Sequence, residues 1–125
     1  AVGLYITTNM DRDDPNESTQ AYIENYRAEY DMEPDMVGAS VYDAFEVLFA
    51  AMKEVGTDSA AMQEYIANMK DFDTVTGTLM YYTSAGSAVK PVQIQQVGED
   101  LQFHSYSVID DIQIIDGDNI PVVEY

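Results

Sequence analysis

Val41-Tyr42-Asp43-Ala44-Phe45-Glu46-Val47-Leu48-Phe49-Ala50-Ala51-Met52-Lys53-Glu54-Val55-Gly56 is the stretch on which the fold is decided. Val41, Phe45, Leu48, Met52 and Val55 recur every three or four residues, the spacing of one helical face, and Ala44 and Ala51 fill the same side. Phe49 and Ala50 widen the apolar surface, so this helix is expected to be buried on more than one side. Gly56 closes it, and Thr57 or Asp58 caps a third helix that reaches about Lys70. Met62, Tyr65, Ile66 and Met69 are its inward residues.

Before this block, Val2 to Thr8 is apolar and β-branched and reads as a strand that enters a polar loop, Asn9 to Asp13. Asp14-Pro15-Asn16-Glu17 reads as a helix start. Asp14 can accept from free amides, Pro15 suits a first turn, and Glu17 stands three residues after the cap. The helix carries Tyr22, Ile23, Tyr26 and Tyr30 as one apolar face. It stops near Asp31, and Pro34 prevents its continuation.

From Gly77 the pattern becomes extended. Gly77–Tyr82, Val92–Val97, Leu101–Val108, Ile112–Ile115 and Ile120–Val123 are short runs bounded by turn residues, among them Ser84-Ala85-Gly86 and Gly98-Glu99-Asp100. The order is one strand, three helices, then several strands, whereas parallel strands normally alternate with helices. An α/β fragment is therefore expected, with sheet partners upstream or in another subunit. The opening Ala1-Val2-Gly3-Leu4 reads as the middle of a strand, so a leader is expected to have been lost with upstream sequence.

The 125 residues carry 23 Asp and Glu against 5 Lys and Arg, a formal net charge of −18. Such a surface repels phosphate backbones and anionic headgroups, so neither nucleic acid nor a membrane surface is an expected partner. The acidity is read as a means of solubility, or as adaptation to a salty medium. Hydrophobic residues reach 46%, which argues against disorder. Cysteine is absent, which removes disulfides, thiolate nucleophiles and Cys-based zinc sites together.

Several segments, in order, carry a resemblance. They are the Tyr22–Tyr30 helix, Glu33-Pro34-Asp35, Val41-Tyr42-Asp43-Ala44, Val55-Gly56-Thr57-Asp58, Phe72-Asp73-Thr74-Val75-Thr76-Gly77-Thr78-Leu79, Gly86, Val89-Lys90-Pro91-Val92 and Gln96-Val97. Together they resemble the last third of the branched-chain amino acid binding proteins of ABC importers, which pair a Tyr-Asp-Ala helix start with a Val-Thr-Gly strand and a Lys-Pro strand. Asp31, Thr74 and Tyr82 depart from that pattern, at turns. The resemblance implies part of a two-lobed periplasmic-binding-protein-like clamp that closes on its ligand. Residues 1–103 would be the clamp portion and 104–125 a terminal extended segment. It also implies an extracytoplasmic location, a small-molecule ligand such as an amino acid, and a membrane permease as partner. Exposed strand edges would be covered in a homodimer.

Ala39, Ser40 and Tyr42 are the candidate ligand contacts. At a helix start facing a cleft they offer free amides, a hydroxyl and an aromatic edge to a carboxylate or zwitterion. Ser40 could equally serve as a cap and Tyr42 as packing. His104, the single histidine, reads as a surface residue with no catalytic partner. Asp11, Asp13, Asp14 and Glu17 miss the pattern of a calcium loop, because Pro15 interrupts it and the required glycine is lacking. Asp116-Gly117-Asp118-Asn119 reads as a turn, and Asn16-Glu17-Ser18 as a chance glycosylation triplet. No phosphate-cradling loop, nucleophile elbow or metalloprotease helix occurs, so neither an enzyme nor a cofactor is expected. The alternative to transport is the extracellular ligand-sensing domain of a signalling receptor with the same clamp.

Overall fold

The computed structural model describes residues 1–119. The expected strand Ile120–Val123 lies outside the described residues. In chain order the elements are β1 (Tyr5–Thr8), α1 (Glu17–Tyr30), α2 (Met36–Val55), α3 (Ser59–Ala67), β2 (Phe72–Thr74), β3 (Gly77–Leu79), β4 (Tyr81–Tyr82), β5 (Ala88–Val89), β6 (Val92–Val97), β7 (Phe103–Ile109), the short helix α4 (Ile112–Ile115) and a 3-10 turn at Gly117–Asn119.

Each long helix has a side-chain cap. Asn16, not Asp14, caps α1, accepting from Ser18 N at 2.9 Å, while Asp14 accepts from Asn16 N at 2.9 Å. Asp14 and Pro15 thus build an Asx turn that delays the helix by two residues. At the other end Asp31 adopts the left-handed conformation (φ 52°) and its N–H returns to Arg27 O. Asp35 caps α2, accepting from Gly38 N at 2.7 Å, so this helix starts at Met36, three residues before Ala39, the first residue expected at its start. Asp58 caps α3 as expected, but α3 ends at Ala67 rather than near Lys70.

The buried side of α2 is not the expected one. Ala39, Asp43, Val47 and Ala51 are buried, whereas Val41 (52% exposed), Phe45 (51%), Phe49 (60%) and Met52 (36%) face outward. Small residues at 39 and 51 let neighbouring elements approach closely, and Asp43 turns inward to Lys90, which neutralises it. The carboxylate therefore decides which side turns inward. On α1, Tyr22 and Ile23 are buried and Tyr26 packs beside them, but Tyr30 is 60% exposed. Met10, Tyr22, Ile23, Ala39 and Val75 form one small core; Val47, Met69 and Leu79 form a second, flanked by Tyr65, Ile66, Phe72 and Tyr82.

The strands are all antiparallel among the described residues. β1, β6 and β7 form one sheet in the order β1-β6-β7, so β1 finds a partner within the chain and not only elsewhere. β2–β3 and β4–β5 are separate hairpins. Val75-Thr76, expected within a strand with Gly77, is instead the turn of the first hairpin; Gly77 sits at φ 103°, where a side chain would be strained. Ile112–Ile115 is a helical turn rather than a strand, because Asp111 caps it through Gln113 N at 2.9 Å. β6 matches its expected bounds, and β7 crosses residue 103, the boundary expected between the two segments. Among the described residues no helix is long and apolar enough to cross a membrane.

Candidate functional site

A cavity of about 580 Å³ opens where the end of β1, the inner side of α2, the hairpins and α4 meet. Its lining is of two kinds. Thr8, Asn9, Ser40, Asp43 and Lys90 supply a polar wall, and Val47, Leu79, Tyr82, Val92 and Ile115 supply an apolar one. A small number of fixed polar groups over an apolar lining is what orients a small solute.

Asp43 organises the polar wall. Its carboxylate accepts from Lys90 Nζ at 2.7 Å, Val75 N at 3.0 Å, Thr74 Oγ1 at 2.9 Å and Thr76 Oγ1. Lys90 also donates to Thr74 Oγ1 at 2.6 Å and to Thr76 Oγ1, so its three protons all have acceptors. With side chains only 18% and 11% exposed, Lys90 and Asp43 make a largely desolvated pair. Burial of both charges is tolerable because each lone pair and proton is used. The pair ties α2 to the β2–β3 turn and to the start of β6, so it is architecture before it is recognition.

Unused groups lie beside it. Asn9 donates to Ser40 Oγ, and Ser40 donates to Met36 O at 2.8 Å. Asn9 Oδ1 is buried and has no hydrogen-bond partner among the described residues, and the same is true of Glu46 Oε2. Burial and then the neighbouring Asp43 charge push the Glu46 carboxyl above its usual range. A buried acceptor without a donor carries a desolvation cost.

The three residues expected at the ligand separate in the structure. Ser40 lines the cavity. Ala39 is fully buried, against Met10, Tyr22, Ile23 and Val75. Tyr42 stacks at a tilt on Tyr22, ring centres 4.8 Å apart, and borders a second, shallower groove with Tyr26 and Tyr30. Thr8, Asn9 and Lys90 were not among the expected contacts. Lys90 is one of only three lysines in so acidic a chain, and an aspartate inside an apolar helix is its natural counterpart; that pairing is the signal the sequence offers for this wall.

His104 lies apart from the cavity, on the surface. Its Nε2 is 2.9 Å from Asp100 Oδ2 and its Nδ1 is 3.6 Å from Asp13 Oδ2, which links the β6–β7 turn to the loop after β1. The hydrogen bond that the ring donates to Asp100 first, then the Asp100 charge, raises the imidazole above its ordinary value. Because the folded pKa is the higher one, this stabilisation is complete below the unfolded value near 6.5 and fades as pH rises through the folded pKa. Asp100→Asn is expected to move the His104 NMR titration midpoint down towards the ordinary histidine value, and an unmoved midpoint would exclude the pairing in solution.

Residues 1–102 match the family described as periplasmic binding protein. Among solved structures, the leucine binding protein LivK of Thermotoga maritima is 26% identical with a TM-score of 0.74, covering 90% of this chain and 32% of its own. The branched-chain amino acid transporter substrate binding protein LivJ of Streptococcus pneumoniae, solved in complex with isoleucine, is 22% identical with a TM-score of 0.68, over 84% of this chain and 29% of its own. A solute binding protein of an ABC transporter from R. palustris, in complex with benzoate, is 21% identical with a TM-score of 0.73, over 86% and 30%. The chain thus spans about a third of the length of these structures. No curated protein matches it in sequence.

Proposed function

The chain belongs to the periplasmic binding protein family, and from that premise we propose that it supplies one wall of the solute cleft of an extracytoplasmic binding protein serving an ABC importer. The family consists of solute-binding proteins, which are not enzymes. The proposed ligand is an amino acid or a similarly small polar molecule with an apolar part, and the proposed partner of the whole protein is the importer's membrane permease. Residues 1–103 are assigned to the clamp and 104–125 to a terminal segment. The outer edges of β1 and β7 are where a homodimer would pair.

The observation that carries the proposal is the mixed lining of the cavity, in which Thr8, Asn9, Ser40 and Asp43 set polar groups and Val47, Leu79, Val92 and Ile115 set aliphatic ones. An amino acid offers an ammonium to the first and a side chain to the second. Lys90 has no proton to spare and is therefore assigned to holding the wall rather than to the ligand. Ser40 carries the proposed contact from α2; Ala39 seats that turn in the core, and Tyr42 could reach a ligand only from the aromatic groove.

Leucine titrated into the isotope-labelled chain is expected to shift the amide signals of Asn9 and Ser40, with a dissociation constant of about 1 mM or weaker, since one wall makes only part of the contacts. Asn9→Leu should abolish those shifts. Shifts that map elsewhere, or none up to saturation of the solvent, would overturn the assignment.

A further inference from the structure

Among the described residues that follow β7, Ile115 alone places an apolar side chain in the cavity. Ile112 and Ile114 are 41% and 58% exposed, while Ile115, next to them, is half-buried and forms part of the apolar wall with Val47, Leu79, Tyr82 and Val92. A four-residue helix with two of its isoleucines in water does not hold itself in place. What holds it follows immediately: Asp116, 7% exposed, accepts from Tyr81 Oη at 2.5 Å and from Asp118 N at 2.9 Å. A second tie joins Ser84 Oγ to Asp118 Oδ2 at 3.4 Å. Both ties run to the β4–β5 hairpin, whose Tyr82 and Ala88 line the same cavity. A carboxylate is buried only where hydrogen bonds compensate it, so the position of Asp116 is fixed by Tyr81.

We infer that Ile115 is a specificity-determining wall of the cavity, limiting the length of the apolar group that fits, and that the Tyr81–Asp116 hydrogen bond is the contact that positions it. This inference rests on the cavity being the solute site. The side chain that sets the limit comes from the terminal segment, not from the helices and hairpins that build the polar wall. The polar and apolar parts of the lining can therefore vary independently. Shortening Ile115 enlarges the apolar part without touching Asn9, Ser40 or Asp43.

The test compares leucine with phenylalanine by NMR titration of the wild-type chain, Ile115→Ala and Tyr81→Phe. A change of this size in an apolar pocket alters discrimination by roughly tenfold or more. Ile115→Ala is expected to move the leucine-to-phenylalanine affinity ratio by about tenfold towards phenylalanine. Tyr81→Phe, which removes only the anchoring hydroxyl, should move it the same way by a smaller factor. An unchanged ratio in both variants overturns the inference; a shift in Ile115→Ala alone keeps Ile115 as the wall and overturns the role of Tyr81. Should the wild-type chain take up neither amino acid, the solute reading itself fails. The strap is then judged by hydrogen exchange: faster exchange at the Ile115 and Asp116 amides in Tyr81→Phe supports it, and unchanged exchange overturns it.

Discussion

Asp43→Ala is expected to destabilise the protein by about 3–5 kcal/mol, the loss typical when one partner of a buried ion pair is removed. Whole domains of this size are stable by only about 5–15 kcal/mol, so most of the margin would go. The reason is the number of groups that depend on one carboxylate: a lysine, two threonine hydroxyls and the Val75 amide. Without it, the Lys90 ammonium loses its counter-ion in a place that is 18% exposed with only hydroxyls around it. Lys90→Met should be milder, because Asp43 then retains the Val75 amide and both hydroxyls. In the double variant the two losses should fall short of their sum, the mark of a direct coupling. Urea unfolding midpoints at constant m-value measure all three. A loss below about 1 kcal/mol for Asp43→Ala would mean that water reaches the pair in solution.

Ile23→Ala is expected to cost about 2–5 kcal/mol, the range for truncating a fully buried branched side chain and leaving a cavity. Ile23 is 1% exposed and sits with Met10, Tyr22, Ala39 and Val75, where α1 meets α2 and the first hairpin. The adjacent Thr19 donates to Val75 O at 3.0 Å, so the backbone around the vacated space is pinned and cannot easily collapse into it. Tyr30→Ala, on the same helix but 60% exposed, should change stability by no more than about 0.5 kcal/mol. Equal effects at the two positions would show that α1 packs by some other face.

Local chemistry made much of this fold legible in advance. A cap at Thr57 or Asp58 ahead of an apolar run was enough to start α3, and the turn residues on either side of Val92–Val97 were enough to bound β6. What failed was the choice of side. α2 has apolar residues on most of its circumference, so periodicity finds the helix but cannot say which stripe is covered. That choice depends on Lys90, 47 residues away, and on the hairpin turn at Val75-Thr76. Asp14 was misread for a smaller reason: two acceptors in succession compete for the same free amides, and Pro15 decides in favour of Asn16. The Ile112–Ile115 run looked extended because three of its four residues are β-branched, yet a cap at Asp111 was sufficient to turn it into a helix. Of the cavity, Ser40 was visible from its place near a helix start. Thr8, Asn9 and Lys90 come from strand ends and connections that only the assembled sheet brings together.

The inverted helix has a consequence for how molecules meet. Between Met36 and Met52 the only charges are Asp43 and Glu46, and both lean towards the interior, which leaves a greasy strip roughly 22 Å long with no ion on it to discourage contact. What keeps two such strips apart in dilute buffer is action at a distance, the mutual push of bodies each bearing −18. Brine shortens the reach of that push to a few ångströms. The same acidity that keeps the chain dispersed is therefore also its shield against sticking, and added salt lowers the shield while leaving the strip bare.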